Sequence, residues 1–209
     1  MGQHALLRPA RRGTPDERIT ATRALVAAYA PADARDAEAR RRTLAALAGA
    51  ADPHEALSDP THLTASAVVI GPRGVLLHHH KRLARWLQPG GHVDPGEQPA
   101  EAAQREAHEE TGVHVDHPPT GPQLVDMDAH ALPVPCGPWQ RARADEATRV
   151  TCVHLDLRFV LHADATPRPP ADESQDVAWF GWDQAARMVD AGLAEALARL
   201  APSPADREA

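Results

Sequence analysis

The chain has 209 residues, of which 43% are hydrophobic and only 3% aromatic, and its formal net charge is −7. This acidic balance argues against a broad phosphate-contacting surface, so no nucleic acid is expected as a partner. No apolar stretch reaches membrane-spanning length and no signal peptide is recognisable, so a cytoplasmic protein without a membrane partner is expected. The cysteines, Cys136 and Cys152, lack metal-site spacing and are predicted to be reduced.

The N-terminal part, residues 1–58, is predicted to be a helical extension. Thr14 is a suitable N-cap because a proline and two acidic residues follow it. Two helices are expected, at about 15–29 and 33–49, with a break at Pro31. Two short helices cannot bury their apolar residues alone, so the extension should pack against the next domain or form a homodimer.

Residues 59–202 are predicted to form one domain, followed by a disordered tail at 203–209. Helical patterns cover about 97–111 and 183–200, and a Pro-rich loop is expected at 132–148. Strand patterns occur at residues 62–70, 75–80, 86–88, 113–115, 123–131, 150–161 and 177–181. Periodicity alone therefore predicts a mixed α/β domain.

The most informative segment runs from Gly91 to Val113, and we call it the box segment. Glu106, Glu109 and Glu110 lie at helical positions i, i+3 and i+4, so a helix places them on one face. Three carboxylates on one face repel each other, and a hard divalent cation such as Mg²⁺ would relieve that repulsion. An ordinary acidic surface helix is the alternative, although it leaves the glycines on either side of the helix unexplained.

The box segment resembles the signature of the Nudix hydrolases, G-x5-E-x7-R-E-U-x-E-E-x-G-U, where U is aliphatic. Every fixed position matches, and Ala107 at the inner U is a mild departure. The resemblance implies an α/β/α sandwich with a mixed sheet, here preceded by the short helical extension. It also implies hydrolysis of a nucleoside diphosphate linked to another group, by attack of water on phosphorus.

The same resemblance implies roles for individual residues. The metal, Mg²⁺ with Mn²⁺ as an alternative, would be held by the carboxylates of Glu106, Glu109 and Glu110 and by the backbone carbonyl of Gly90. Glu109 or Glu110 would also orient or deprotonate the water. A supporting ion pair would aim the glutamates, and it is formed by Arg105 and Glu97.

Candidates outside the box segment are weaker. Glu173 is the predicted additional ligand or general base, with Asp145 and Glu146 as rivals and a solvated carboxylate as the alternative. Contacts with substrate are weakly predicted for four residues, each of which has an ordinary surface or core role as its alternative: Lys81, Arg82, Trp86 and His92.

The 13 histidines have no role in this scheme. His78, His79 and His80 are consecutive, so they alternate between the faces of a strand and cannot all enter one site. A second metal site, or phosphate-contacting imidazoles near His92, is one interpretation. Ordinary buried or exposed histidines are the other.

The sequence does not choose among three diphosphate substrates: a nucleoside triphosphate, a nucleotide sugar or a compound of the ADP-ribose type. A different class of function is a Nudix-fold module that senses nucleotides without hydrolysis. A third is an isomerase of an isoprenoid diphosphate, although such enzymes tend to have an altered box and a catalytic cysteine.

Overall fold

The computed structural model describes residues 14–49, 52–54, 60–81, 83–132, 152–168 and 176–203. The helices in these ranges are α1 (Pro15–Ala28), α2 (Ala34–Leu47), α3 (Pro99–Thr111), α4 (Trp182–Met188) and α5 (Ala191–Leu200). The strands are β1 (Thr61–Gly71), β2 (Gly74–His80), β3 (Arg85–Leu87), β4 (Gly90–His92), β5 (Gln123–Leu132), β6 (Cys152–His162) and β7 (Val177–Phe180).

Capping side chains stabilise the N-termini of the first two helices. The Thr14 hydroxyl accepts the backbone N–H of Glu17, and the Glu17 carboxylate accepts the N–H of Thr14. The Asp33 carboxylate accepts the N–H of Asp36 at the start of α2. The two predicted N-terminal helices and the break between them are confirmed to within two residues at each end.

Helices α1 and α2 pack against the rest of the protein. Val26 of α1 and Leu47 of α2 are buried in the same apolar cluster as Leu63 of β1 and Ala103 of α3. Neither helix could bury these side chains alone. The extension therefore shares a core with the sheet, which was one of the two outcomes expected for it.

A buried polar cluster joins α1 to residues 52–54. The His54 side chain is fully buried, with Nδ1 2.7 Å from an Asp52 carboxylate oxygen and Nε2 2.9 Å from the Thr22 hydroxyl. Arg18 donates to the other Asp52 oxygen at 2.9 Å. Burial lowers the pKa of His54, and the neighbouring Asp52 carboxylate opposes this shift only in part.

We expect the free energy of unfolding to fall as pH is lowered from about 7.5 to about 5.5, because the unfolded chain then binds a proton at His54 that the folded chain resists. His54→Gln should reduce this slope in urea unfolding at the two pH values. His114→Gln, which alters an exposed imidazole, is the matched control and should leave the slope unchanged. Equal slopes in the wild type and His54→Gln would contradict the assignment.

The strands form one mixed sheet in the order β3-β2-β1-β6-β5. Strand β4 pairs with the first half of β1, and β7 pairs with β2. The central pair, β1 and β6, is parallel and in register from Thr61 opposite Val153 to Ile70 opposite His162. The other strand pairs are antiparallel. A buried parallel pair with helices on both faces is typical of α/β domains.

Side chains of β1 alternate between two layers of helices. Leu63 and Ala65 point to the layer that contains α1, α2 and α3. Val68 points to the opposite layer, where Ala185 of α4 and Leu193 of α5 are buried. The predicted α/β/α sandwich with a mixed sheet is therefore confirmed.

Two predicted elements differ from those observed. Residues 113–115 form no strand, and the chain nearby makes one isolated bridge, between Asp116 and His162. The predicted final helix is two helices, because the Asp190 carboxylate accepts the N–H of Leu193 and begins α5 separately.

Cys152 is buried and disulfide-bonded, so the prediction of a reduced thiol is wrong for this residue. Cys136 lies outside the described residues, as do residues 1–13 and most of the predicted tail. Disulfides are rare in cytosolic proteins, so the cysteines no longer support the location of this protein in a reducing compartment. Among the described residues, no helix is long and apolar enough to cross a membrane.

Candidate active site

The box segment begins in β4, where two glycines allow close packing. A β-carbon on Gly90 would lie 2.4 Å from Cβ of Ser66 and 2.8 Å from the backbone oxygen of Ala65. A β-carbon on Gly91 would lie 2.5 Å from Oε1 of Glu106. The glycines therefore let β4 pair with β1 on one side and admit a carboxylate on the other.

Helix α3 then presents the box carboxylates. Gln98 and Glu101 form a capping box at its start, and Gly112 ends it in the left-handed conformation at φ 65°. Ala103 and Ala107 are fully buried against the sheet, so the small residue at the inner U position fits a tight contact. This packing fixes the position of the helix and leaves its acidic face outside the apolar core.

Arg105 is the centre of the carboxylate cluster. Its Nη1 donates to Glu106 at 2.8 Å and to Glu109 at 3.0 Å. Its Nε and Nη2 donate to Glu97, and Nη2 also donates to the His92 carbonyl at 2.9 Å. One guanidinium thus holds both ends of the box segment together, a geometry that its planar fork allows.

Glu110 is held from the opposite side. Its Oε2 accepts the backbone N–H of Gly90 at 2.9 Å and lies 3.6 Å from Nε2 of His78. Burial lowers the pKa of His78 to about 4, and the neighbouring His80 adds to the shift. His78 is therefore neutral near pH 7 and adds no positive charge beside Glu110.

Glu106 is largely buried between α3 and β4. Burial raises the pKa of its carboxyl group, whereas Arg105 opposes the shift and Glu109 adds to it. Like charges close together in a partly dry site favour a bound cation. The arrangement offers a cluster of oxygen ligands around one arginine.

This geometry coincides with a match to a family model. The model of the NUDIX domain matches residues 60–200, which is most of the chain. The chain belongs to the Nudix family. The match includes every strand of the sheet together with α3, α4 and α5, and it begins just after the helical extension.

Solved structures with similar folds include a NUDIX-family hydrolase from Clostridium perfringens, at 24% identity over 67% of this chain and 98% of that chain, with a TM-score of 0.47. A MutT protein from Methanosarcina mazei is 18% identical over 70% and 93%, with a TM-score of 0.47. The dihydroneopterin triphosphate pyrophosphohydrolase of E. coli is 18% identical over 68% and 94%, with a TM-score of 0.46. A search of curated proteins returned no match. These resemblances are too distant to indicate a substrate.

The structure brings together the predicted site residues of the box segment and Gly90 before it: Gly90, Gly91, Glu97, Arg105, Glu106, Glu109 and Glu110. Of the weaker candidates, Lys81 is exposed just after β2. The Trp86 ring lies 4.8 Å from the ring of Phe180 and packs at the edge of a core cluster. The other predicted residues lie outside the described part of the chain: Arg82, Asp145, Glu146 and Glu173.

A polar row on the sheet was missed by the sequence analysis. Thr64 and Ser66 donate to the Asp156 carboxylate at 3.0 and 2.7 Å. Arg158, also buried, donates to Asp126 at 3.0 Å. Polar residues at alternate positions of β1, beginning at His62, were the available signal.

Proposed function

We propose that this Nudix protein is a Mg²⁺-dependent pyrophosphohydrolase, with Mn²⁺ as an alternative ion. Its substrate would be a nucleoside diphosphate linked to another group: a nucleoside triphosphate, a nucleotide sugar or an ADP-ribose type compound. The carboxylate cluster around Arg105 carries this proposal. Such a cluster, on a helix that follows a glycine-containing strand, has the charge and the oxygen ligands that the chemistry needs.

The residues fit a hard divalent ion. Glu106, Glu109 and Glu110 offer carboxylate oxygens from one helix face. The backbone N–H of Ala67 donates to the Pro89 carbonyl, so these two residues form a hydrogen-bonded pair where the ladder between β1 and β4 begins. Such pairs alternate with non-hydrogen-bonded pairs in an antiparallel ladder, so the next pair, Ser66 and Gly90, is a non-hydrogen-bonded one. Both polar backbone groups of Gly90 then point away from β1, and its carbonyl is available as a further ligand.

When bound, Mg²⁺ would offset charge on the phosphate oxygens and make water a better nucleophile. Arg105 would hold Glu106 and Glu109 in position, and Glu97 would hold Arg105. Glu109 is the more exposed of the two candidate bases and Glu110 the more enclosed, so either could orient or deprotonate water. Glu173 stays a proposed additional base.

Substrate contacts are proposed for Lys81, Arg82, Trp86 and His92. A nucleotide or another small diphosphate is the proposed partner, and a homodimer stays a prediction. So does the cytoplasmic location. The disulfide-bonded Cys152 offers no free thiol, which counts against the isoprenoid diphosphate isomerase.

The test is a phosphate-release screen of the full chain with Mg²⁺, covering triphosphates, nucleotide sugars, dinucleoside polyphosphates and ADP-ribose. A Glu109→Gln/Glu110→Gln double variant and a chelator are run beside it. Turnover of one class that disappears in both conditions would support the proposal and define the substrate. Tight nucleotide binding without turnover, unaffected by the double variant, would instead indicate the non-hydrolytic sensor.

We expect Arg105→Lys to lower kcat by about 10- to 100-fold, the usual cost of losing support for metal ligands. Lysine keeps the charge but cannot contact Glu97, Glu106 and Glu109 together as the guanidinium does. The Mg²⁺ concentration for half-maximal rate should rise as well. Arg41→Lys, at an exposed pair on α2, is the control. Unchanged kcat and Mg²⁺ dependence in Arg105→Lys would refute this positioning role.

A further inference from the structure

Three imidazoles meet on the sheet, outside the carboxylate cluster. The ring centroids are 5.1 Å apart for His62 and His92, 4.9 Å for His62 and His154, and 5.2 Å for His92 and His154. One ring nitrogen from each residue can be chosen so that all three lie within 4.8 Å of one another. We call these residues the histidine cluster.

The strand pairing creates this cluster. His62 of β1 lies directly opposite His154 of the parallel strand β6. His92 of β4 lies opposite Thr64, two positions further along β1 and on the same face. The three side chains therefore come from three strands on one face of the sheet, which no local sequence pattern could indicate.

The cluster lies on the opposite side of β4 from the box carboxylates. Neighbouring residues of a strand point to opposite faces, and the open side of Gly91 faces Glu106. His92 must then point away from Glu106. The histidine cluster and the carboxylate cluster are separate sites that share one short strand.

The cluster is poorly explained as ordinary packing. His62 is fully buried, and Nε2 of His154 is buried with no hydrogen-bond partner among the described residues. Burial, with the neighbouring His62, His92 and His130, lowers the pKa of His154 to about 3. A neutral imidazole keeps a lone pair, and leaving that nitrogen buried without a partner is costly.

We propose that His62, His92 and His154 bind one borderline divalent transition-metal ion of the Zn²⁺ class. Three imidazole nitrogens suit Zn²⁺, Co²⁺ or Ni²⁺, whereas Mg²⁺ prefers the oxygens of the box. His92 is exposed, so the ion would be open to solvent on the β4 side, and a water or phosphate oxygen would complete its coordination. The proposed contact of His92 with substrate would then be made through this ion.

A fourth imidazole lies beside the histidine cluster. The His130 ring is 5.5 Å from that of His154, and its Nδ1 lies 2.9 Å from an Asp128 carboxylate oxygen. Asp128 thus fixes the position of the His130 ring, and the same carboxylate lies 3.7 Å from Nη2 of Arg158. His130 is therefore a neighbour of the cluster and not one of its proposed ligands.

The test is a Co²⁺ titration of the full chain, prepared without a polyhistidine tag and with saturating Mg²⁺ to occupy the carboxylates. We expect one equivalent of Co²⁺ to give the visible absorption of low-symmetry nitrogen coordination. His92→Asn and His154→Asn should each weaken binding by at least about 100-fold, since each removes one of three ligands. His114→Asn, an exposed imidazole elsewhere, should bind like the wild type.

Circular dichroism of the variants distinguishes the loss of a ligand from the loss of the fold. Because His92 is exposed, its substitution should disturb the fold less than that of His154. Equal Co²⁺ binding by wild type, His92→Asn and His154→Asn would overturn the proposal. Binding lost only in Glu106→Gln would also overturn it, because the ion would then lie in the box. Neither result bears on whether the box hydrolyses a diphosphate.

Discussion

We expect Glu110→Gln to lower kcat for the diphosphate substrate by about two to four orders of magnitude, the range for a lost catalytic or metal-holding carboxylate. The substitution is nearly isosteric. A glutamine oxygen could still accept the Gly90 N–H that Glu110 now accepts at 2.9 Å. The change therefore removes the charge while retaining the contact with Gly90.

The same variant should be at least as stable as the wild type without metal, because it relieves repulsion among Glu106, Glu109 and Glu110. Loss of activity with retained or increased stability is the expected pair of results, measured by steady-state kinetics and thermal unfolding. Glu101→Gln, on the same helix, is the matched control, because glutamine also completes a capping box. If Glu110→Gln kept more than a tenth of kcat at saturating Mg²⁺, the assignment would fail.

The largest effect on stability is expected for Arg158→Met. The Arg158 side chain is 2% exposed, and its guanidinium lies 3.0 Å from Asp126 and 3.3 Å from Asp156. Asp126 keeps two other arginines, Arg35 and Arg199. Asp156 would keep only hydroxyl donors among the described residues, so removing Arg158 should destabilise the fold by about 3–5 kcal/mol.

Urea unfolding of the wild type and of Arg158→Met measures this difference in the free energy of unfolding. Arg41→Met, at an exposed ion pair on α2, is the control and should cause no measurable change. Adding Asp156→Asn to Arg158→Met should recover part of the loss, because the second change removes the uncompensated charge. A loss no larger than that of Arg41→Met would show that the buried pairing is not the main interaction.

The sequence was most informative where structure is local. The box helix, its glycine stop and the two N-terminal helices were predicted because capping residues and helical spacing act within a few positions. The ion pair between Arg105 and Glu97 followed from the signature, and it is present. The split at Asp190 was missed, because an aspartate can lie within a helix as well as begin one.

Contacts between distant strands could not be predicted. The His62–His154 pairing depends on β6 adding to β1 in parallel, in one particular register. A shift by one residue would have turned His154 to the other face of the sheet. The polar row that links Thr64 and Asp156 depends on the same register. Local patterns contain no information about that choice.

The central parallel pair also affects the order in which the protein can mature on the ribosome. Thr64 and its partner Asp156 are 92 positions apart, so the box segment emerges well before β6. Until then, β1 is paired with β2 and β4 at one edge and is unpaired at the other, a state prone to aggregation. Nascent chains that end before β6 should therefore be inactive and dependent on chaperones, although every residue of the Nudix signature has already been made.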